Sequence, residues 1–272
     1  MYKISICCIV KNEKDLLEWL IYHKLIGFDH IYIYDNNDSP ININLDFCTT
    51  IRYPGEAQQI NAYNHYLNNY KQESEYVCAL DADEYVVLHE EDNIKKILEK
   101  LPSDHDGFIL NWKLFINNNK KREEGLVFEK NKKWQKNYLK DKNRNIIELL
   151  YNKAYKTIAK TSSISTITSP HFFNYNKKNA NVYCGDLLTK VEKINNPNYY
   201  LHSDPKISIN HYYVKSLEEL KKKCERGRAT CSGKKKFETE IKYVSNLVEN
   251  ETKILDWVDV TKEEMNKYVG DK

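Results

Sequence analysis

Three carboxylates within four residues, Asp81-Ala82-Asp83-Glu84, interrupt an apolar run that extends from Tyr76 to Val87. The part before them, Tyr76 to Leu80, is short, uncharged and rich in β-branched and aromatic residues, which predicts a buried strand. Residues i and i+2 of an extended chain share a side. Asp81 and Asp83 therefore project together from the strand end, with the small Ala82 between them. Glu84 faces the other way, as a structural neighbour. Two adjacent carboxylates at the edge of a core repel one another unless a cation lies between them. Hard divalent ions such as Mg²⁺ or Mn²⁺ take such oxygen ligands and often complete their shell with substrate phosphates. An acidic surface turn fits the same four residues equally well, so the surrounding elements must decide.

Upstream, Lys3 to Val10 is a continuous apolar run of strand type. Asn12 is placed as a helix N-cap, with Asp15 at the third helical position. Leu16, Leu17, Leu20, Ile21 and Leu25 then recur at helical spacing, and Gly27 closes the helix. His30 to Tyr34 is a second strand, ended by a turn over Asp35-Asn36-Asn37-Asp38-Ser39-Pro40. A short strand near Thr50 to Arg52, then Pro54-Gly55, leads into a helix over Ala57 to Tyr70. The order β-α-β-β-α-β begins a parallel sheet. Ligands bind at the carboxyl ends of strands in such sheets. Lys11-Asn12, Asp35 and the Asp81–Asp83 pair all fall at such ends, which favours the binding role over a surface turn.

Downstream, Asp92 to Leu101 is a short helix stopped by Pro102, and Gly107 to Phe115 is a strand heavy in aromatics. Asn117 to Glu124 is a polar loop. Leu126 to Glu129 and Leu149 to Ile158 have strand composition, and Ser162 to Ser169 can pair in a hairpin. Ile207 to Tyr213 is a strand ending near His211. Ser216 to Glu219 is a capping box that starts a helix running to about Arg226. Further helices are expected over Phe237 to Val248 and from a capping box at Thr261 to Glu264. With neither linker nor repeat, the expected organisation is one α/β domain, residues 1–215. Its halves are 1–101 and 102–215, and residues 216–272 form a helical extension.

The chain has 272 residues and a formal net charge of only +3, so no global basic field points to nucleic acid. The runs Lys221-Lys222-Lys223 and Lys234-Lys235-Lys236 are read as solvated faces able at most to touch phosphates or a membrane surface. Seven cysteines with no CxxC spacing point to reduced, packed thiols and a cytoplasmic, reducing compartment. No signal-peptide pattern is found at the start. No apolar run reaches the roughly 18 residues a spanning helix needs.

Several stretches together resemble the glycosyltransferase family 2 and family 92-like enzymes. They are Lys11-Asn12-Glu13 with Glu18-Trp19-Leu20, His23 and Gly27-Phe28-Asp29; Gly55 to Gln59 with Ala62 and Asn64; Leu80 to Val86; and Asn210-His211-Tyr212 with Lys215-Ser216, Lys223 and Arg226-Gly227. The matches run in order from residue 5 to 228 and are weakest over residues 117–205, where acceptor recognition would lie. The resemblance implies a GT-A fold with a mixed central sheet. It also implies transfer of a sugar from a nucleotide-sugar, a UDP- or GDP-sugar, to a glycan or glycoconjugate, with inversion and with Mn²⁺ or Mg²⁺ on the diphosphate. By the family's pattern Asp83 holds the metal, Asp81 meets the ribose and metal waters, and His211 reaches the metal or diphosphate. Asp35 and Lys11-Asn12 meet the base and ribose, while Lys215, Lys223, Arg226 and Arg228 are diphosphate contacts.

Inverting displacement needs a general base near the acceptor hydroxyl. Glu123 and Glu124 in the polar loop are favoured, with Asp186 and His171 as other choices. Trp112 and Phe115 are candidates for stacking on an acceptor sugar. Two other readings compete: a metal-dependent nucleotidyltransferase, and a non-catalytic glycan-binding module. The first usually needs a third carboxylate on a neighbouring strand and a Gly-Ser phosphate turn, and the sequence has neither.

Overall fold

A computed structural model describes residues 1–135, 138–140, 146–148, 154–191, 205–227, 233–240 and 248–269. The chain opens β1 (Tyr2–Val10), α1 (Leu16–Leu25), β2 (His30–Asp35), β3 (Cys48–Arg52), α2 (Gln59–Asn69), β4 (Ser74–Ala79), β5 (Glu84–Leu88) and α3 (Ile94–Glu99). It continues with β6 (Gly107–Ile116), α4 (Val127–Lys130), β7 (Lys133–Gln135), β8 (Tyr138–Lys140), β9 (Ile146–Glu148), β10 (Tyr155–Lys160), β11 (Ile164–Ser169), β12 (Phe172–Tyr175) and β13 (Val182–Tyr183). The C-terminal part gives β14 (Ile207–Val214), α5 (Leu217–Arg226), α6 (Phe237–Glu240), β15 (Val248–Asn250) and α7 (Val258–Val269).

The α/β class with a mixed central sheet is as expected. Its strand order is β15-β7-β6-β10-β4-β1-β2-β3, with β14 joined to β6 and β5 joined to β14. Strands β4, β1, β2 and β3 are mutually parallel, while β10 runs antiparallel to both β4 and β6. The chain leaves β1 for β2 and β3 on one side, then returns through α2 to β4 on the other. The crevice between the ends of β1 and β4 is thus a topological switch point, where α/β sheets bind ligands.

Alternation along the strands builds a core on each face of the sheet. Ile4, Ile6, Cys8 and Val10 of β1, with Ile31, Ile33, Cys78 and Leu80, pack against Trp19, Leu20 and Ile21 of α1. Cys7, Tyr32, Tyr34, Val77 and Ala79 face the other way, onto Ala62, Tyr63, Tyr66 and Leu67 of α2. Six of the seven cysteines lie in described residues, and all six are free thiols. Among the described residues no helix is long and apolar enough to cross a membrane.

Four local expectations change. Asn12 does not cap α1; its φ of 54° puts it in a left-handed turn, and Asp15 takes the N-cap position without a side-chain cap bond. Leu126–Glu129 lies in and beside the helical turn α4 rather than a strand. Val248 belongs to β15, which pairs with β7, so residues 216–272 also contribute a strand. Thr261 is buried inside α7, which starts at Val258. Of the expected strand from Leu149, residues 149–153 lie outside the described residues, and β10 continues past Ile158 to Lys160.

Candidate functional site

Strand β4 stops at Ala79, and Asp81 to Asp83 form a tight turn into β5, closed by the Glu84 amide donating to the Asp81 carbonyl at 3.0 Å. The turn separates the two aspartates. Asp81 accepts from Gln59 Nε2 at 2.5 Å and from the Tyr63 hydroxyl at 3.4 Å, both on α2. Its second oxygen lies 3.1 Å from the Lys156 ammonium. Asp83 meets a different set: Lys223 Nζ at 2.5 Å and His211 Nε2 at 3.5 Å. Each carboxylate therefore has its own lysine.

Register explains how distant residues arrive here. β14 lies between β5 and β6 and pairs His211 with Glu84, which brings the imidazole to the turn. The Tyr212 amide donates to the Asp83 carbonyl at 2.8 Å and fixes the turn's backbone. Ser216 Oγ accepts from the Glu219 amide at 3.2 Å, the N-cap read from sequence, and starts α5. That helix carries Lys223, whose ammonium also lies over the Tyr213 ring, 4.2 Å from its centre. β10 runs antiparallel to β4, and with Ile158 opposite Cys78, Lys156 comes level with the end of β4.

The electrostatics are steep because the groups are buried. Burial alone would raise the Asp83 carboxyl, but the Lys223 ammonium and the His211 imidazole outweigh it and hold the carboxyl well below its ordinary value. Burial would lower the Lys156 ammonium, yet the Asp81 carboxylate beside it leads the charges that outweigh burial and hold it up. Glu84, fully buried beneath the turn, is pushed well above the carboxylate range by desolvation and by Asp81 and Asp83. One of its oxygens accepts from the Asp81 amide at 2.9 Å, the structural role expected for it.

The motif on α1 supports this turn from below. Trp19 Nε1 donates to the Glu84 carbonyl and the Tyr22 hydroxyl to the Val86 carbonyl, both at 2.7 Å. The Val86 amide donates to His23 Nε2 at 3.3 Å. Among the described residues β5 pairs with β14 alone, and these bonds occupy its other edge. Glu18 accepts from the Val127 amide and the Tyr85 hydroxyl.

The other predicted site residues are spread around this centre. Asp35 is fully buried and takes donors from the Asn37 amide and side chain, Ile41 N and Arg52, so it organises its own loop. The Asn12 amide donates to Asn37 Oδ1 at 2.6 Å, tying the ends of β1 and β2 together. Lys11 lies 3.6 Å from Asp38, and its carbonyl accepts from Arg226. Lys215 is ion-paired with Glu13 at 2.7 Å and Asp15 at 2.6 Å, rather than with the Asp81–Asp83 turn. Arg228 lies outside the described residues.

Glu123 and Glu124 are exposed in the loop after β6. Glu123 accepts from Asn119 at 2.6 Å and lines a polar cleft of about 460 Å³ with Asn117, Asn118, Asn131 and Lys133. Among the described residues, neither has a hydrogen bond or ion pair to the turn. Asp186 caps a local turn through Leu188 and Thr189. Phe115 is wholly core, while Trp112 is 8% exposed with its ring 4.3 Å from His211 and 5.2 Å from His171. Sequence reasoning missed Lys156. Its only signal was a lone cation inside the apolar run Ala154 to Ala159.

Among the described residues no three His, Cys, Asp or Glu side chains converge closely enough to enclose an ion. Asp83 Oδ1 and His211 Nε2 do face one another at 3.5 Å, which is two of the donors that an ion would need.

No family model matches the chain. Among solved structures, S. aureus TarS covers 59% of this chain and 28% of its own at 14% identity, with a TM-score of 0.30. The 4-diphosphocytidyl-2C-methyl-D-erythritol synthase of Anaerococcus prevotii covers 70% of this chain and 88% of its own at 10% identity, with a TM-score of 0.32. A glycosyltransferase family 92 protein of Oryza sativa subsp. japonica is 30% identical over 94 residues, 31% of this chain. The match takes in only 16% of that relative's length. The resemblance carried by the motifs thus meets weak, local homology to a family 92 glycosyltransferase.

Proposed function

We propose that this chain is a glycosyltransferase moving a sugar from a UDP- or GDP-sugar to a hydroxyl of a glycan, protein or lipid-linked acceptor, with inversion. The observation that carries the reading is the cluster of Asp83, His211 and Lys223 beside the switch-point crevice of the sheet. A nucleoside diphosphate leaves with developing negative charge, and catalysis consists largely of having positive charge already in place for it. Lys223 supplies one such charge, held by α5 and aimed by Asp83 and the Tyr213 ring. Asp83 and His211 would hold a Mn²⁺ or Mg²⁺ ion, which would add Lewis-acid neutralisation of the diphosphate. Asp81, fixed by Gln59, Tyr63 and Lys156 and a third exposed, is left to meet the ribose or ordered water.

The test is turnover of a panel of UDP- and GDP-sugars with Mn²⁺, read as nucleoside diphosphate released with and without simple sugar acceptors. The expected result is metal-dependent release from one donor class, lost by 100-fold or more in Asp83→Ala and reduced in Lys223→Met. No release from any donor, combined with no thermal stabilisation by UDP or GDP, refutes the reading. Full activity in Asp83→Ala removes the metal from it.

A further inference from the structure

Direct displacement needs a base on the acceptor side of the sugar, and one histidine among residues 102–215 is held in a way that suits it. His171 sits in the turn between β11 and β12, and β10 holds it at two points. Its Nδ1 lies 3.0 Å from the Tyr155 carbonyl, an acceptor only, so Nδ1 carries the hydrogen. The Thr157 hydroxyl donates to the His171 carbonyl at 3.1 Å. The tautomer is therefore set: Nε2 keeps its lone pair, and among the described residues it has no hydrogen-bond partner.

The position is as specific as the tautomer. The His171 ring packs on Trp112 at 5.2 Å, Trp112 packs on His211 at 4.3 Å, and His211 faces Asp83, which holds Lys223. The row runs from an imidazole lone pair at one end to the diphosphate cluster at the other. The Trp112 ring thus stands between the His171 imidazole and His211, and a displacement likewise sets the base apart from the charges that meet the leaving group. Trp112 is 8% exposed, and among the described residues its buried Nε1 has no hydrogen-bond partner.

Resting on the glycosyltransferase reading, we propose that His171 is the catalytic base, taking the acceptor's hydroxyl proton on Nε2. As the proton moves, the acceptor oxygen bonds to the anomeric carbon. The bond from that carbon to the phosphate oxygen breaks, and its electron pair leaves on the nucleoside diphosphate. The groups facing His171 are Lys156 on β10, Asp81 in the turn and His211 on β14. Burial first, then the Lys156 charge, pushes the imidazole down to about 4. It is then neutral throughout the physiological range and as basic as an ordinary carboxylate. Glu123 and Glu124 lack this orientation, being exposed on a loop after β6.

The experiment uses the donor and acceptor found for the full chain and compares wild type with His171→Ala and His171→Gln. Stabilisation by the nucleoside diphosphate is the control for an intact donor site. The expected result is a 100- to 10,000-fold fall in kcat. Donor KM and thermal stabilisation should be unchanged, and added imidazole should partly restore His171→Ala. Activity within threefold of wild type in both variants overturns the proposal, as does a loss that lies in acceptor KM or that imidazole does not restore. If His171→Ala fails to fold, His171→Gln carries the same comparison. Wild type with neither turnover nor nucleoside-diphosphate stabilisation overturns the underlying glycosyltransferase reading itself.

Discussion

At the residue scale, Lys156 decides whether the acidic turn is stable. Its side chain is 1% exposed and lies 3.1 Å from Asp81 and 3.4 Å from Glu84. Removing one partner of a buried ionic group leaves the other uncompensated, at a cost of about 3–5 kcal/mol. Lys156→Met should lower stability to urea by that order. A Lys156→Met protein as stable as wild type would show that the turn tolerates its own charge. Glu18 gives a second prediction. Burial raises its carboxyl to about 7, against the lowering effect of the Val127 amide and Tyr85 hydroxyl. The folded value lies above the unfolded one, so the proton is bound more tightly in the fold. Its contribution is complete below about pH 4.5 and is lost as pH rises to about 7, by up to about 3 kcal/mol. Urea unfolding from pH 5 to 8 should show wild type losing stability relative to Glu18→Gln across that window; a constant difference excludes the linkage. The acidic turn at the end of β4 was legible in sequence because its signal is local, an acidic pair closing an apolar strand. Lys156 was not, because its role exists only once β10 pairs antiparallel with β4, 75 residues away from Asp81.

At the element scale, the parallel half was readable and the rest much less so, for a physical reason. The β1-α1-β2 and α2-β4 units are ordered by near neighbours in sequence, with caps and turns between them. β6, β10 and β14 are ordered by long-range pairing, and no local pattern states that β14 lies between β5 and β6. The α4 turn was misread because Leu-Val-Phe-Glu has strand composition; Val127 and Phe128 pack under Tyr22 and Tyr85, and the Leu126 position opens a helical turn. Gly27, by contrast, was correctly read as the stop of α1, and it does more than end it. Its φ is +102°, and an added Cβ would lie 2.3 Å from Asn93 Oδ1, the atom that caps α3 by accepting from the Lys95 amide at 2.9 Å. Gly27→Ala should therefore combine left-handed strain with a disturbed cap, costing about 2–3 kcal/mol. Asn93→Ala alone should cost about 1 kcal/mol by loss of the cap. Denaturant midpoints of the two variants and their double separate the terms, and near-equal losses in Gly27→Ala and Asn93→Ala would mean that the strain is negligible.

At the scale of the whole molecule, the proposed site joins parts far apart in the chain: the end of β4, the end of β14, α5, β10 and the β11–β12 turn. A ligand bridging them binds the folded chain alone, because the unfolded chain has no such arrangement. Stability must then rise by mass action, about 2.7 kcal/mol at a free ligand concentration 100 times Kd. With roughly 2–4 °C of Tm per kcal/mol for a chain of this size class, UDP or GDP with Mn²⁺ should raise Tm by about 5–10 °C. Each part of the site has its own signature in that shift. A chelator should remove most of it if Asp83 and His211 hold a metal that bridges to the diphosphate, and Asp83→Asn should do the same. Lys223→Met should reduce the shift with the metal still present, since it removes a positive charge that the reading assigns to the diphosphate. His171→Ala should leave it intact, because a base for the acceptor hydroxyl makes no contact with the leaving group. A shift unaffected by both chelator and Asp83→Asn would mean that the nucleotide binds away from the acidic turn, and the switch-point crevice would lose its assigned ligand.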